Sequence, residues 1–271
     1  MKEFEPTLNL TGVDVVIDDS YLLRDVTCNF SCNGLTGLVG QNGSGKSTLM
    51  RVIARQNNPT SGEVKLGGKN LSDFSARAFA KEVAYLPQSV PSAPGMTVRE
   101  LVSIGRYPWH GALGRFSKED EEKIEGAMHI TGTLNFANRV VDTLSGGERQ
   151  RCWLAMLVAQ NAQLLLLDEP LSALDMRHQH GALNLLKQLC EERCLAAIVI
   201  LHDINLAAQF CDHIVALKSG SVVVEGPPET IMKADTLSQI FDIEMGVAPH
   251  PGNQKPHGFV MFDSSSPYAT N

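Results

Sequence analysis

Apolar residues along the chain fall into two spacings, and the switch between them divides the sequence. Short apolar runs between polar turns come first. Leu8–Ile17 and residues 22–30 predict strands, and residues 35–39 predict a third that runs straight into a glycine-rich loop. Residues 44–55 read as a helix, ended by Pro59 and Ser61-Gly62. Residues 64–66 and Val83–Leu86 read as strands around a polar helix at 76–81. From Pro91 to Thr143 the spacing is helical, with loops between. Thr97 and Glu100 make a capping box ahead of Leu101, Val102 and Ile104, and Ser117 caps an acidic helix start at 118–122.

After Ser145, helix and strand alternate again: helix 147–158, strand Leu164–Leu167, helix 174–193, strand 197–201, helix 205–210, then strands 214–217 and 222–225. Residues 164–167 and 194–201 are continuously apolar, which predicts strands covered on both faces of a parallel sheet. Alternation interrupted by a helical stretch predicts a doubly wound α/β core with a helical subdomain inserted at about 91–158. Beyond Gly226, short helices at 231–232 and 236–241 precede a Pro/Gly/His-rich stretch, 249–258, expected as packed loop. Residues 1–240 are expected to form one domain and 241–271 a C-terminal tail.

Composition narrows the choice. A 271-residue chain with 43% apolar and 20% charged residues suits one large α/β domain. A formal charge of −7 argues against a nucleic-acid partner and against adhesion to anionic lipid. No run approaches the roughly 20 apolar residues of a spanning helix, and the N-terminus, with Glu3 and Glu5, lacks the apolar core of a signal peptide. A cytosolic protein is expected, attached to a membrane only through another protein. The six cysteines, Cys28, Cys32, Cys152, Cys190, Cys194 and Cys211, include two Cys-x-x-x-Cys pairs. Neither pair has a histidine at zinc-site spacing, so free and mostly buried thiols are expected. His178, His180, His250 and His257 are read as solvated surface.

The chemistry concentrates in three stretches. Gly40-Gln41-Asn42-Gly43-Ser44-Gly45-Lys46-Ser47, followed by Thr48, fits the phosphate loop in full and lies between an apolar strand and a helix. Its glycines let successive N–H groups turn around a polyphosphate, Lys46 brings a charge to the β- and γ-phosphates, and the Ser47 hydroxyl suits Mg²⁺. Asp168-Glu169 follows four leucines, which puts two carboxylates at the C-terminal edge of a buried strand. Asp168 is the candidate Mg²⁺ ligand and Glu169 the candidate base for the attacking water. Ser145, with the N–H groups of Gly146 and Gly147 at a helix start, is a second anion-binding terminus far along the chain from the first. One nucleotide would use both only if a second copy of the chain supplied one of them.

Leu144-Ser145-Gly146-Gly147-Glu148-Arg149-Gln150-Arg151 resembles the signature motif of the ATP-binding-cassette ATPases. That resemblance implies the family's fold, a phosphate-loop NTPase (RecA-like) α/β core with an N-terminal antiparallel β subdomain and an inserted α-helical subdomain. It also implies ATP and Mg²⁺ as ligands. Tyr85-Leu86-Pro87-Gln88 is similar to the Q-loop, whose glutamine touches Mg²⁺ and senses the membrane partner. Ser172-Ala173-Leu174-Asp175 is similar to the D-loop, and Leu201-His202-Asp203 to the switch, with His202 reaching the γ-phosphate. A lone histidine after a strand is more often structural; its place after Glu169 and the next core strand reverses that preference. One position departs from the pattern. Where the family stacks adenine on an aromatic residue the sequence has Ile17, with Tyr21 nearby but out of register.

The stretch 106–116, with 155–160, 201–208, 245–247 and 249–251, resembles cassettes of iron-siderophore importers, most of all those of ferric hydroxamate (ferrichrome-type) uptake. The implied partners are a second copy of the chain, a transmembrane permease seated near Gln88 and residues 90–116, and, indirectly, a periplasmic siderophore-binding protein. The implied place is the cytoplasmic face of the bacterial inner membrane. Ferric citrate, catecholates, haem and cobalamin remain open as cargo, and a soluble non-transport cassette ATPase is the rival from another class.

Overall fold

A computed structural model describes residues 7–31, 33–111, 114–172 and 174–261. Cys32, Ala112, Leu113 and Ala173, which enter the sequence expectations, lie outside these residues, as do residues 1–6 and 262–271.

The chain opens with β1 (Leu8–Ile17), β2 (Ser20–Phe30) and β3 (Gly34–Val39). The phosphate loop leads into α1 (Lys46–Ile53), followed by β4 (Ser61–Leu66), β5 (Lys69–Asn70), α2 (Ala76–Glu82) and β6 (Val83–Leu86). Four helices come next: α3 (Val98–Ile104), α4 (Tyr107–His110), α5 (Lys118–Ile130) and α6 (Gly146–Gln160). The core resumes with β7 (Leu164–Leu167), α7 (Met176–Arg193), β8 (Ala196–Ile200), α8 (Ile204–Phe210), β9 (His213–Lys218) and β10 (Ser221–Gly226). Last come α9 (Pro228–Ile231), α10 (Ala234–Phe241), β11 (Met245–Pro249) and β12 (Pro256–Val260).

The strands build a six-stranded sheet, β10-β9-β3-β8-β7-β6, and a four-stranded one, β2-β1-β4-β5. The smaller sheet is antiparallel. In the larger one β3, β6, β7, β8 and β9 run parallel, and β10 returns antiparallel along the edge. Strand side chains alternate between faces, so β7 divides its four leucines. Leu164 and Leu166 face a core shared with α1 and the smaller sheet, whereas Leu165 and Leu167 face a core shared with the helical insert and α7. That double burial is why the run carries no polar residue until the strand ends at Asp168.

Two expectations are corrected. The stretch 106–116 is not all loop: α4 occupies its start, with Arg77 Nε donating to the Pro108 carbonyl at 2.9 Å and Lys81 lying 4.5 Å over the Trp109 ring. The stretch 249–258 is not all loop either, since both its ends lie in strands. β11 and β12 pair in register from Met245↔Val260 to Pro249↔Pro256. Asn205 of α8 ties this hairpin down, donating to the Gly258 carbonyl at 3.0 Å and accepting from its N–H at 2.8 Å. No disulfide joins the described cysteines. Cys28, Cys152, Cys190 and Cys211 are buried and Cys194 is exposed. Burial pushes the thiols of Cys28, Cys152 and Cys190 up to about 12, so they stay protonated and inert.

Candidate nucleotide site

The phosphate loop hangs between the C-terminal end of β3 and the first turn of α1. At Gly40, φ is 142° and a Cβ would stand 2.1 Å from the Leu217 carbonyl oxygen, so only glycine fits. At Gly45, φ is 101° and a Cβ would meet the Leu22 carbonyl at 2.8 Å, which lets β2 close over the loop. A cavity of about 210 Å³ lies above, lined by Leu22, Glu169 and residues 42–48. Lys46 is buried within the loop, its Nζ donating to the carbonyls of Gly40 at 2.9 Å and Gln41 at 2.7 Å. Burial lowers its pKa, although Glu169 and Asp168 pull the other way. A phosphate would give this ammonium a better partner than two neutral carbonyls.

Asp168 is fully buried at the end of β7. Ser47 Oγ donates to one of its oxygens at 3.0 Å, and the Tyr85 hydroxyl reaches the other at 3.3 Å. Burial raises the Asp168 pKa against the lowering effects of Ser47 and Arg51. A hydroxyl and a carboxylate side by side are the hard oxygen donors that Mg²⁺ takes. The pair fits that ion.

Glu169 has φ 49°, a left-handed backbone unusual for its residue type and still more so before a proline, here Pro170. The twist presents its carboxylate toward the loop cavity. Gln88 Nε2 donates to Glu169 Oε2 at 2.7 Å, and His202 Nε2 lies 3.0 Å from the same oxygen. Three residues read from separate stretches of sequence thus meet on one atom. Gln88 comes from the end of β6, Glu169 from the end of β7 and His202 from the end of β8, all at the carboxyl edge of the sheet.

The second candidate anion site, the Ser145 helix start, takes no part in lining that cavity. Ser145 caps α6 in a full capping box: its Oγ donates to Glu148 Oε2 at 2.7 Å, its N–H to the same oxygen at 2.9 Å, and the Glu148 N–H donates back to Oγ at 3.4 Å. Ser145 and Gly146 are exposed and Gly147 is half-buried. No residue from 144 to 151 lines the cavity over the phosphate loop. Asp175 caps α7, accepting from the His178 N–H at 2.9 Å and facing His178 Nδ1 at 2.7 Å.

Three residues depart from the sequence expectations or escaped them. His178 is more than solvated surface: its ring packs where a Cβ on Gly147 would be, 2.9 Å away. His180 is also engaged, edge-on to Phe210 with ring centroids 5.3 Å apart. Leu22 was not singled out, yet it lines the phosphate cavity; its place beside Tyr21 at the start of an alternating strand was the available signal. Ile17 and Tyr21 are both half exposed, and Arg24 lies 4.6 Å over the Tyr21 ring.

The ABC transporter family profile matches residues 23–172, which take in the phosphate loop, the signature stretch and Asp168-Glu169. The chain belongs to the ABC transporter family. It is 40% identical over 250 residues to the iron(3+)-hydroxamate import ATP-binding protein FhuC of Bacillus subtilis, covering 92% of this chain and 93% of that one. It is 39% identical to the ferric enterobactin transport ATP-binding protein FepC of Escherichia coli, over 84% of each. Among solved structures it is similar to an ATP-binding cassette captured as a dimer in a post-hydrolysis state with ADP and Pi. That match has 29% identity and a TM-score of 0.71, over 82% of this chain and 98% of the other. The fold expected from the sequence is the ABC ATPase fold observed.

Proposed function

We propose that two copies of this chain close on two Mg-ATP molecules and drive an iron-siderophore importer, with Fe³⁺-hydroxamate as its cargo. The observation that carries the pairing is the exposed Ser145 tip of α6, separate from the phosphate cavity of its own chain. The capping box engages Ser145 with Glu148, and the helix dipole and first-turn N–H groups at Gly146 and Gly147 still favour an anion. The γ-phosphate held by Lys46 of the partner copy is the anion this family offers.

Each residue then has one task. Backbone N–H groups of residues 40–45 cradle the phosphates, and Lys46 neutralises them. Ser47, Asp168 and Gln88 would hold Mg²⁺, which would offset the phosphate charge. Glu169 accepts the proton of the attacking water, and His202 orients both Glu169 and the γ-phosphate. Ser145, Gly146 and Gly147 of one copy cap the γ-phosphate on the other, and Asp175 connects the two sites. When phosphate leaves, the charge holding the two tips is gone and the pair opens.

The insert supplies the membrane contact. Among the described residues no helix is long and apolar enough to cross a membrane, so attachment runs through the permease. An open cleft of about 410 Å³ is lined by Tyr85, Pro87, Gln88, Ser89 and three α1-side residues. Exposed Ile104, Tyr107 and Phe116 extend the apolar surface of the insert. A short permease helix seated there would move Gln88, and through it Glu169.

The cargo assignment is supported by the hydroxamate-importing relative and by the individual text of residues 106–116. Its test is uptake into vesicles that carry the permease, the binding protein and this chain, with a panel of iron chelates. Fe³⁺-hydroxamate should enter only with ATP on the side of this chain, and Lys46→Ala should abolish entry. Uptake of catecholate in preference to hydroxamate would overturn the cargo. No uptake of any chelate would overturn the importer reading.

A further inference from the structure

A larger cleft of about 690 Å³ opens between the helical insert and the core. It shares no lining residue with the phosphate cavity. One wall is α6, presenting Arg151 and Leu154; the other is α7, presenting Arg177, Gly181 and Leu185. Leu86 and Leu167, at the ends of β6 and β7, form its floor. Its size falls within the range of sites for drug-sized ligands.

Three features set this cleft apart from a packing gap. First, its arginines form no close ion pair: among the described residues neither Arg151 nor Arg177 has a carboxylate within 4 Å, and Glu148 and Asp175 act on them only through space. Second, Arg151 Nε is shielded from water and has no hydrogen-bond partner, a costly state for part of a cation. Third, Gly181 sits inside the 18-residue α7, where glycine costs about 1 kcal/mol relative to alanine. A Cβ there would meet nothing within 4 Å. No close approach requires that glycine; what it leaves is room.

We propose that this cleft binds a small amphipathic anion, an apolar body bearing one carboxylate, sulfonate or phosphate head. The apolar body lies on Leu86, Leu154 and Leu185, and the head meets Arg151 and Arg177. Such an occupant fixes the spacing of α6 and α7. Ser145 caps the first helix, Asp175 caps the second, and His178 presses on Gly147 between them. Occupancy therefore restrains the signature tip and slows the ATP cycle. That consequence rests on the paired-cassette reading; the binding itself does not.

The test uses 8-anilinonaphthalene-1-sulfonate and its uncharged analogue N-phenyl-1-naphthylamine as fluorescent probes on the nucleotide-free full chain. One sulfonate probe per chain should bind, at least tenfold more tightly than the neutral one. Arg151→Gln should weaken the sulfonate at least tenfold and leave the neutral probe unchanged. Gly181→Leu, which adds a side chain where space is open, should abolish both without lowering Tm. Sulfonate binding that survives Gly181→Leu, or is indifferent to Arg151→Gln, overturns the site. Because no nucleotide is present, failure of the ATPase reading leaves this result standing. If the probe binds with these dependences and ATP hydrolysis by the permease-bound chain is unchanged, the regulatory consequence is overturned.

Discussion

Asp168 is ionisable and completely enclosed, and burial holds its pKa above the usual carboxylate value. For an acid with a raised folded pKa, stability is highest while the group is neutral and falls as pH rises through that value. Asp168→Asn should therefore raise Tm of the nucleotide-free chain at pH 7 by about 2 °C. The gap should close as pH falls below about 4, where both side chains are uncharged. The same variant should lose the thermal shift that Mg-ATP gives the native chain, because Ser47 would then face no charged partner for the ion. Scanning calorimetry over a pH series reads both. Glu169→Gln keeps the shape of the site but removes the proposed proton acceptor, so hydrolysis should fall by about a thousandfold while ATP still binds. Rates in that variant near the native rate would remove Glu169 from its role. Ile17 is the third residue of interest. Aromatic stacking contributes about 1 kcal/mol, so Ile17→Tyr should tighten ATP about fivefold by isothermal titration, and the native chain should bind ATP and GTP about equally. The motif residues were legible because glycine, lysine and paired carboxylates at fixed spacing have few structural uses. Leu22 and His178 were not, since an aliphatic strand residue and a helical histidine have many.

At the scale of elements, β7 shows why most of the fold was legible. Four leucines closed by Asp168, Glu169 and Pro170 are too short a run for a helix and read as a strand covered on both faces, as the structure has it. The capping box at Thr97 and the cap at Ser117 form as the sequence predicts, and Asp120 closes the second into a box as well. The α4 turn and the β11–β12 hairpin escaped because their stability comes from elsewhere. α4 is held by Arg77 and Lys81 of α2, and the hairpin by Asn205 of α8, contacts distant in sequence. The insert has an ionic anchor of its own. Arg106 Nε donates to Asp120 Oδ1 at 2.8 Å, with both side chains buried, and Arg106 also donates to the Ala159 carbonyl at 2.9 Å. Burial alone would raise the Asp120 pKa; the Ser117 N–H and hydroxyl and the Arg106 guanidinium outweigh it and hold it at about 2. Its folded pKa is depressed, so the contribution is present above about pH 4 and is lost as pH falls through about 2. Asp120→Asn leaves the guanidinium buried without its counter-charge and should cost about 3 kcal/mol at pH 7 by urea denaturation. The penalty should shrink toward zero near pH 2.

For the molecule as a whole, the phosphate-loop cavity and the Ser145 helix tip share no residue. The phosphate cavity opens at the carboxyl edge of the large sheet, and the Ser145 tip projects from the insert. On the proposed pairing, a single chain would bind nucleotide with one half of a site and offer the Ser145 half to its partner. The sequence suggested this from the separation of its two anion-binding motifs, and the fold keeps them separate within one copy. On the proposed function the cargo is not written in these surfaces, because the chain would meet a permease and not the siderophore. Sedimentation equilibrium of Glu169→Gln with and without Mg-ATP tests the pairing most directly. The account predicts a 29.4 kDa species without nucleotide and twice that mass with it, and a return to the single mass when Ser145→Arg is added. A complex that stays paired with Ser145→Arg, or a chain that remains single at saturating Mg-ATP, would contradict it.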